Sequence, residues 1–375
     1  MEPGARRLIS LLCLLTFVPA AHANEQIFTK EEARRLGYAP VVPATQTPES
    51  NLIRKKALPE AHSLPWPVPF EDANHSMGNV MTQFQYYGDA PYWHGGCDLR
   101  TRDNEEIHAP ISGRIEAGHY GYVINDDGSL TKQMKPWPQR GNDHYFEVAI
   151  VTDSGMRFEF HHIDRASLPD SLVEGLNKKQ AHVSAGDLLG RVIHWSIQGP
   201  DGSLYHHTHY NIIDSNGVQL NPEYLSPLIA DTAAPLIEGV WAVGNLGAIE
   251  TVREGQPVKL KNIREFVVGT TDRNDGNVYL HSPVRSQLRW NERIAWNWNF
   301  GMKLLAPDGI FPNIHDVYKD SMRTPEGQHL ETSGDYDNNF FLIRLPVPNP
   351  VPSGIFEIRI EDASGNASLF SASTP

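Results

Sequence analysis

From about Leu64 onward the chain consists of short apolar runs broken every few residues by glycine, aspartate, asparagine or proline, and long amphipathic helical patterns are scarce. Runs such as Phe146 to Thr152, Met156 to Ile163, Leu188 to Ile193 and Leu204 to Ile213 have the length of single strands. The pattern predicts an all-β fold of antiparallel sheets. At 375 residues the chain exceeds one typical core, so two folded units with extras are expected.

The chain divides into four stretches. Arg6 and Arg7 precede an apolar run from Leu8 to Val18, and Ala21-His22-Ala23 supplies small residues for cleavage, so residues 1–23 read as a secretory signal peptide. That run is too short to stay as a membrane span. Cys13 follows Leu12 rather than a small residue, so no membrane anchor is expected, and the mature protein should be periplasmic or extracellular. Residues 24–64 mix charge with Pro40, Pro43, Pro48 and Pro59 and read as an N-terminal linker or arm, with a short helix near Glu31 to Leu36. Residues 65–230 carry the densest strand pattern. Asp231-Thr-Ala-Ala-Pro235 opens residues 231–375, where Ile358 and Ile360 alternate with Glu357, Arg359 and Glu361 as in a half-buried strand. The ending Glu361-Asp-Ala-Ser-Gly-Asn-Ala resembles the last hairpin of bacterial immunoglobulin-like domains, so a C-terminal β-sandwich is expected. Between Gly118 and Asp143 turn formers dominate, which predicts a long loop carrying Tyr120, Tyr122 and Trp137.

A formal net charge of -13 disfavours nucleic acid and anionic membranes as partners, because neither attracts an acidic surface. Without the signal peptide Cys97 is alone, so no internal disulfide can form. On an extended strand Cys97 faces away from Asp98 and reads as core packing.

Three segments carry the chemistry: His94-Gly-Gly-Cys-Asp98, Phe158-Glu-Phe-His-His162-Ile and Tyr205-His-His207-Thr-His209-Tyr. Side chains at i and i+2 of a strand share a face, so His207 and His209 point together. By the same alternation His162 joins the apolar face of Phe158 and Phe160, while His161 and His206 look outward as surface residues. Zinc is held tetrahedrally by nitrogen and oxygen ligands, and a catalytic site keeps one position for water. His94, Asp98, His162, His207 and His209 offer five groups for such a site, two more than three protein ligands require. The surplus imidazoles can accept a proton or donate to a developing oxyanion. Spacing alone does not divide the five.

These segments resemble the lysostaphin/LytM-type zinc endopeptidases of bacterial cell walls, marked in order by His-x-x-x-Asp, Tyr-x-His-Leu and His-x-His. Ala109-Pro-Ile-Ser-Gly113-Arg-Ile and Val183-Ser-Ala-Gly186-Asp-Leu-Leu-Gly190 also look like that family's connecting motifs. The resemblance covers roughly Met77 to Ile213. It implies a mainly antiparallel β metallopeptidase domain with one Zn2+ per chain, ligated by His94, Asp98 and His209, with His162 and His207 as catalytic imidazoles. It implies hydrolysis of peptide bonds in peptidoglycan cross-links. The alternative within the same fold is a non-catalytic module that binds the wall or activates another hydrolase. Phe160, Ile163, His206 and Asn211 depart from the family pattern, which bears on fine specificity. Oligomeric state is not encoded in any of these motifs.

Overall fold

The structure, a computed structural model, describes residues 26–41, 63–70, 75–87, 90–199, 202–304, 311–332 and 340–375. The expected signal peptide and the central part of the expected arm lie outside the described residues. The fold is all-β, and every pair of named strands is antiparallel among the described residues.

A nine-stranded sheet dominates the first part. Its strands in chain order are β1 (Ala39–Pro40), β2 (Cys97–Arg100), β3 (Gly113–Ile124), β4 (Leu130–Pro136), β5 (Phe146–Val151), β6 (Arg157–His161), β7 (His182–Val183), β8 (His207–Ile213) and β9 (Gln219–Leu220). Across the sheet they run β1-β4-β3-β5-β6-β8-β9, with β7 added to β3 and β2 added to β8. Alternation splits the sheet into two faces. Cys97, Ile115, Val148, Ile150, Phe158, Phe160, Tyr210 and Ile212 line an apolar face and belong to the main core. Asp98, Glu116, Glu147, Glu159, His161, His209 and Asn211 occupy the other.

The stretch from Gly118 to Asp143 is not the expected long loop. Most of it is the β3–β4 hairpin, closed by a tight turn in which the Gly128 N–H donates to the Asn125 carbonyl. The glycines that read as loop signals admit close neighbours instead. A Cβ on Gly121 would lie 2.2 Å from the Phe28 ring. Tyr120 and Tyr122 are buried, and Trp137 packs partly buried against the core.

Residues 26–41 dock on this hairpin. Thr29 and Glu32 cap each other at the start of helix Lys30–Arg35, and Phe28, Ala33, Tyr38 and Val123 form a small apolar cluster. Two-residue pairing of β1 with β4 completes the attachment.

The last third forms two four-stranded sheets. One holds Leu236–Gly244, Ile249–Val252, Ile263–Thr271 and Phe341–Pro346; the other holds Arg285–Trp290, Arg293–Asn299, Gly354–Glu361 and Ala367–Thr374. They face each other through Phe266, which stacks on Phe356 at 4.5 Å and meets Trp290 at 6.1 Å between ring centroids. Ile358 and Ile360 are buried between the sheets, as their alternation predicts.

One apolar cluster continues across residue 230, from Leu64 to Ala372. Trp93 sits at the junction, 5.7 Å from Phe300 and 5.5 Å from Tyr318 between ring centroids. Its indole N–H donates to the Pro312 carbonyl at 3.1 Å, and the Tyr318 hydroxyl donates to the Thr82 carbonyl at 2.9 Å. Trp93 immediately precedes His94, and the Thr82 N–H donates to the His94 carbonyl at 2.9 Å, so the sandwich braces that segment directly.

Candidate metal centre

The register of β2, β6 and β8 assembles the site. His209 lies opposite Asp98 and His207 opposite Arg100. Tyr210 lies opposite Phe160, which sets His209 beside the end of β6. His94, on the turn before β2, places Nε2 3.3 Å from Asp98 Oδ1. His209 Nδ1 is 2.9 Å from the same oxygen. The ligand-type atoms of His94, Asp98 and His209 all fall within 4.8 Å of one another.

What surrounds these three fixes which atom each presents. His94 Nδ1 donates to the Val80 carbonyl at 3.0 Å, so in the neutral ring Nε2 carries the lone pair. Asp98 Oδ2 is held by the Tyr205 hydroxyl at 2.9 Å and the Asn79 amide at 2.8 Å, leaving Oδ1 for the centre. Asn211 Nδ2 donates to Glu159 Oε2 at 3.2 Å, which turns its Oδ1 toward His209 Nε2 at 3.0 Å. That oxygen can only accept, as can Asp98 Oδ1 on the other side of the ring, so a metal at Nδ1 would leave the single proton of neutral His209 on Nε2 for Asn211. His94 Nε2, Asp98 Oδ1 and His209 Nδ1 thus face one another across the centre. Two nitrogens and a carboxylate oxygen match the donor set of a three-ligand zinc site, and their outer atoms carry the second set of hydrogen bonds such sites use.

His162 and His207 stand next to this centre with ring centroids 4.6 Å apart. Each donates Nδ1–H to a backbone carbonyl, His162 to His144 at 2.8 Å and His207 to Tyr205 at 2.9 Å. His207 Nε2 is buried without a hydrogen-bond partner, and His162 Nε2 lies 3.3 Å from the Tyr120 hydroxyl. Burial holds the imidazolium forms of His162 and His207 below their usual range, and pushes His209 down to about 3. Burial would raise the Asp98 carboxyl, but His94, His207 and His209 outweigh it and keep Asp98 ionised. A neutral His209 beside an ionised Asp98 is the pair of protonation states metal binding needs.

The structure therefore brings all five sequence candidates together, but it revises how they get there. The site lies on the polar face of β6, not on the face of Phe158 and Phe160. His162 reaches it because its backbone is left-handed, with φ 61°, which breaks the alternation and turns two successive histidines to one side. His161 is consequently not outward. It is fully buried, stacked on Tyr120 at 3.9 Å and on His209 at 5.0 Å between ring centroids. His206 is also buried, and its Nδ1 accepts from the backbone N–H of Trp195 at 3.2 Å; the Trp195 indole lies 4.9 Å from the His162 ring between centroids.

Sequence reading missed Asn79, Glu159, Trp195 and Tyr205 as parts of the site, and it singled out Tyr120 as a loop residue where the structure has it buried in β3. Extending the period of two from His207 and His209 would have found Tyr205 and Asn211. Beneath the site Glu147, Glu159 and His161 also have a metal-like grouping. Lys132 bridges Glu147 and Glu159 there, and Arg157 bonds Glu147 at 2.6 Å, so internal cations already balance those carboxylates.

No protein-family model and no curated protein matches this chain. Among solved structures it is similar to a chain from "Structure of the SpoIIQ-SpoIIIAH pore forming complex", at 14% identity and a TM-score of 0.29, covering 44% of this chain and 92% of that one.

Proposed function

We propose that this chain is an exported zinc metalloendopeptidase that hydrolyses peptide bonds in peptidoglycan cross-links. The observation that carries the reading is the convergence of His94 Nε2, Asp98 Oδ1 and His209 Nδ1, each with its outer atom tied down, beside two neutral imidazoles. The motif resemblance to lysostaphin/LytM-type enzymes supplies the substrate class. Bound zinc would polarise a scissile carbonyl and acidify a water toward a pKa of about 7. His207 Nε2 and His162 Nε2 would take a proton from an attacking water. The charge that develops is eased through Nδ1–H bonds to the Tyr205 and His144 carbonyls. A protonated Nε2 can then deliver the proton to the departing amine. Tyr120 orients His162 through its hydroxyl.

None of the five residues is more than 1% exposed, so peptide binding requires the cover that includes Trp195 to shift. That burial is also what favours the second reading, a non-catalytic wall-binding or activating module. Purified mature protein incubated with peptidoglycan, with and without chelator and with zinc restored, separates the two. New amino groups that disappear with chelation and return with zinc support the enzyme. Wall binding with no new amino groups under any metal condition supports the module.

A further inference from the structure

Apart from Asp98 at the candidate metal centre, buried carboxylates among the described residues are otherwise paired with Lys or Arg: Glu147 and Glu159 with Lys132 and Arg157, Glu265 with Arg344, Glu361 with Arg285. A second acidic group breaks that habit. Asp231, Asp272 and Asp362 bring one oxygen each to within 4.8 Å of one another, with Asp272 and Asp362 buried and Asp231 partly so. They come from three separate places in the chain. Asp231 lies on the connection into the sandwich, Asp272 directly follows strand Ile263–Thr271, and Asp362 directly follows strand Gly354–Glu361. Among the described residues no lysine, arginine or histidine forms an ion pair with any of them.

Each carboxylate is aimed by backbone donors. The N–H groups of Ala233, Arg273 and Asn366 donate to Asp231, Asp272 and Asp362 at 3.2, 2.9 and 2.9 Å. The Asn366 side chain ties two of the loops together, donating to the Asp231 carbonyl at 3.1 Å and to Asp362 Oδ2 at 3.0 Å.

An independent feature points into the same place from the other half of the molecule. Glu223, in the short turn Pro222–Tyr224 after β9, has a buried carboxylate whose Oε2 has no hydrogen-bond partner. Its side chain lines a small cavity with Asn274, Ala363 and Ser364, all within two residues of Asp272 or Asp362. An isolated buried carboxylate oxygen is costly, and several crowded carboxylates without a counter-charge are more so.

We propose that Asp231, Asp272, Asp362 and Glu223 form a calcium site that pins the loops after strands Ile263–Thr271 and Gly354–Glu361 to the turn after β9. The donors are all oxygens, which selects a hard cation over zinc. Several carboxylates on irregular loops suit the larger and more variable shell of calcium better than the octahedron of magnesium. The site is separate from the His94–Asp98–His209 centre and does not depend on its function.

The test uses the full mature chain, stripped of metal and titrated with Ca2+, Mg2+ and Tb3+. Trp66 lines the same cavity as Glu223, so bound Tb3+ should show tryptophan-sensitised emission that calcium displaces. Millimolar calcium should raise the melting temperature by several degrees where magnesium does not, with one ion bound at saturation. Asp231→Asn, at the partly exposed position that tolerates change best, should lose most of the terbium signal and the calcium shift, while Asp98→Ala keeps both. Absence of terbium emission and of a calcium shift in the wild-type protein overturns the proposal. So does an Asp231→Asn variant that binds as the wild type does.

Discussion

The imidazoles of His161 and His209 lie stacked, 5.0 Å apart between centroids and 16° from parallel. His161 is in turn 3.0 Å from Glu147 Oε2 through its Nε2. One candidate ligand therefore rests on a histidine that is anchored in a buried cluster of opposite charges. The position of His209 is thus set from below by His161 as well as from the side by Asn211. Each of these supports can be removed separately.

Asp98→Ala should abolish tight metal binding, since it removes the oxygen that both His94 and His209 face. The check is zinc content after dialysis, by elemental analysis, alongside a melting curve to show that the chain still folds. A folded variant that retains one zinc per chain would remove Asp98 from the ligand set.

His162→Ala should keep its zinc and lose roughly 10²–10⁴-fold in peptide cleavage, the range for a positioned acid–base group. His207→Ala should behave alike, and the double variant should cost far less than the product of the two, because both act in one proton-transfer step. Zinc loss in His162→Ala would mean that this ring binds metal.

Asn211→Ala should weaken zinc roughly 10–100-fold while leaving the ligands in place, the usual effect of removing a hydrogen-bond partner behind a metal-binding histidine. Competition with a chromophoric chelator measures it. Unchanged affinity would show that the proton on His209 Nε2 is positioned by something other than the Asn211–Glu159 pair.

Acid should unfold the protein partly through Glu147. Burial and Glu159 act to raise its carboxyl, but Lys132 and Arg157 prevail and hold it at about 2 rather than the ordinary 4.5. The folded state thus prefers the carboxylate more than the unfolded state does. This contribution is complete above pH 4.5 and is lost as pH falls below it toward 2. Melting temperature followed downward from pH 5 should fall less steeply in Glu147→Gln than in the wild type. Parallel curves would place the acid sensitivity elsewhere.

Trp93→Ala should cost about 3–5 kcal/mol, as for other large buried aromatics. It should lower the melting of both halves together, since Trp93 touches Phe300 and Tyr318 across residue 230. Calorimetry that resolves two transitions, only one of them shifted, would refute the coupling.

Much of the site was legible because spacing along a strand maps directly onto a face. His207 and His209 needed only a period of two, and His94 and Asp98 a pair of glycines that rule out helix. The outer partners were not legible for a different reason. Asn79 meets Asp98, Trp195 meets His162, and Tyr120 meets His161 only after strands distant in sequence have paired. The reversal at His162 was hidden as well, because nothing in His161-His162 marks a left-handed residue, a conformation that histidine adopts more readily than most. The glycines of the β3–β4 hairpin misled for the opposite reason: they announce a turn, whereas Gly121 makes room for Phe28.

The apolar cluster that runs unbroken past residue 230 has a genetic consequence. Lesions at Phe300 or Tyr318, in a half without candidate catalytic groups, would loosen Trp93 and so the turn that presents His94. A loss-of-function screen of this gene would recover them beside true ligand mutants. Sorting the two classes would require protein abundance to be scored together with phenotype, and suppressors of the first class should be general stabilisers that rescue no ligand mutant.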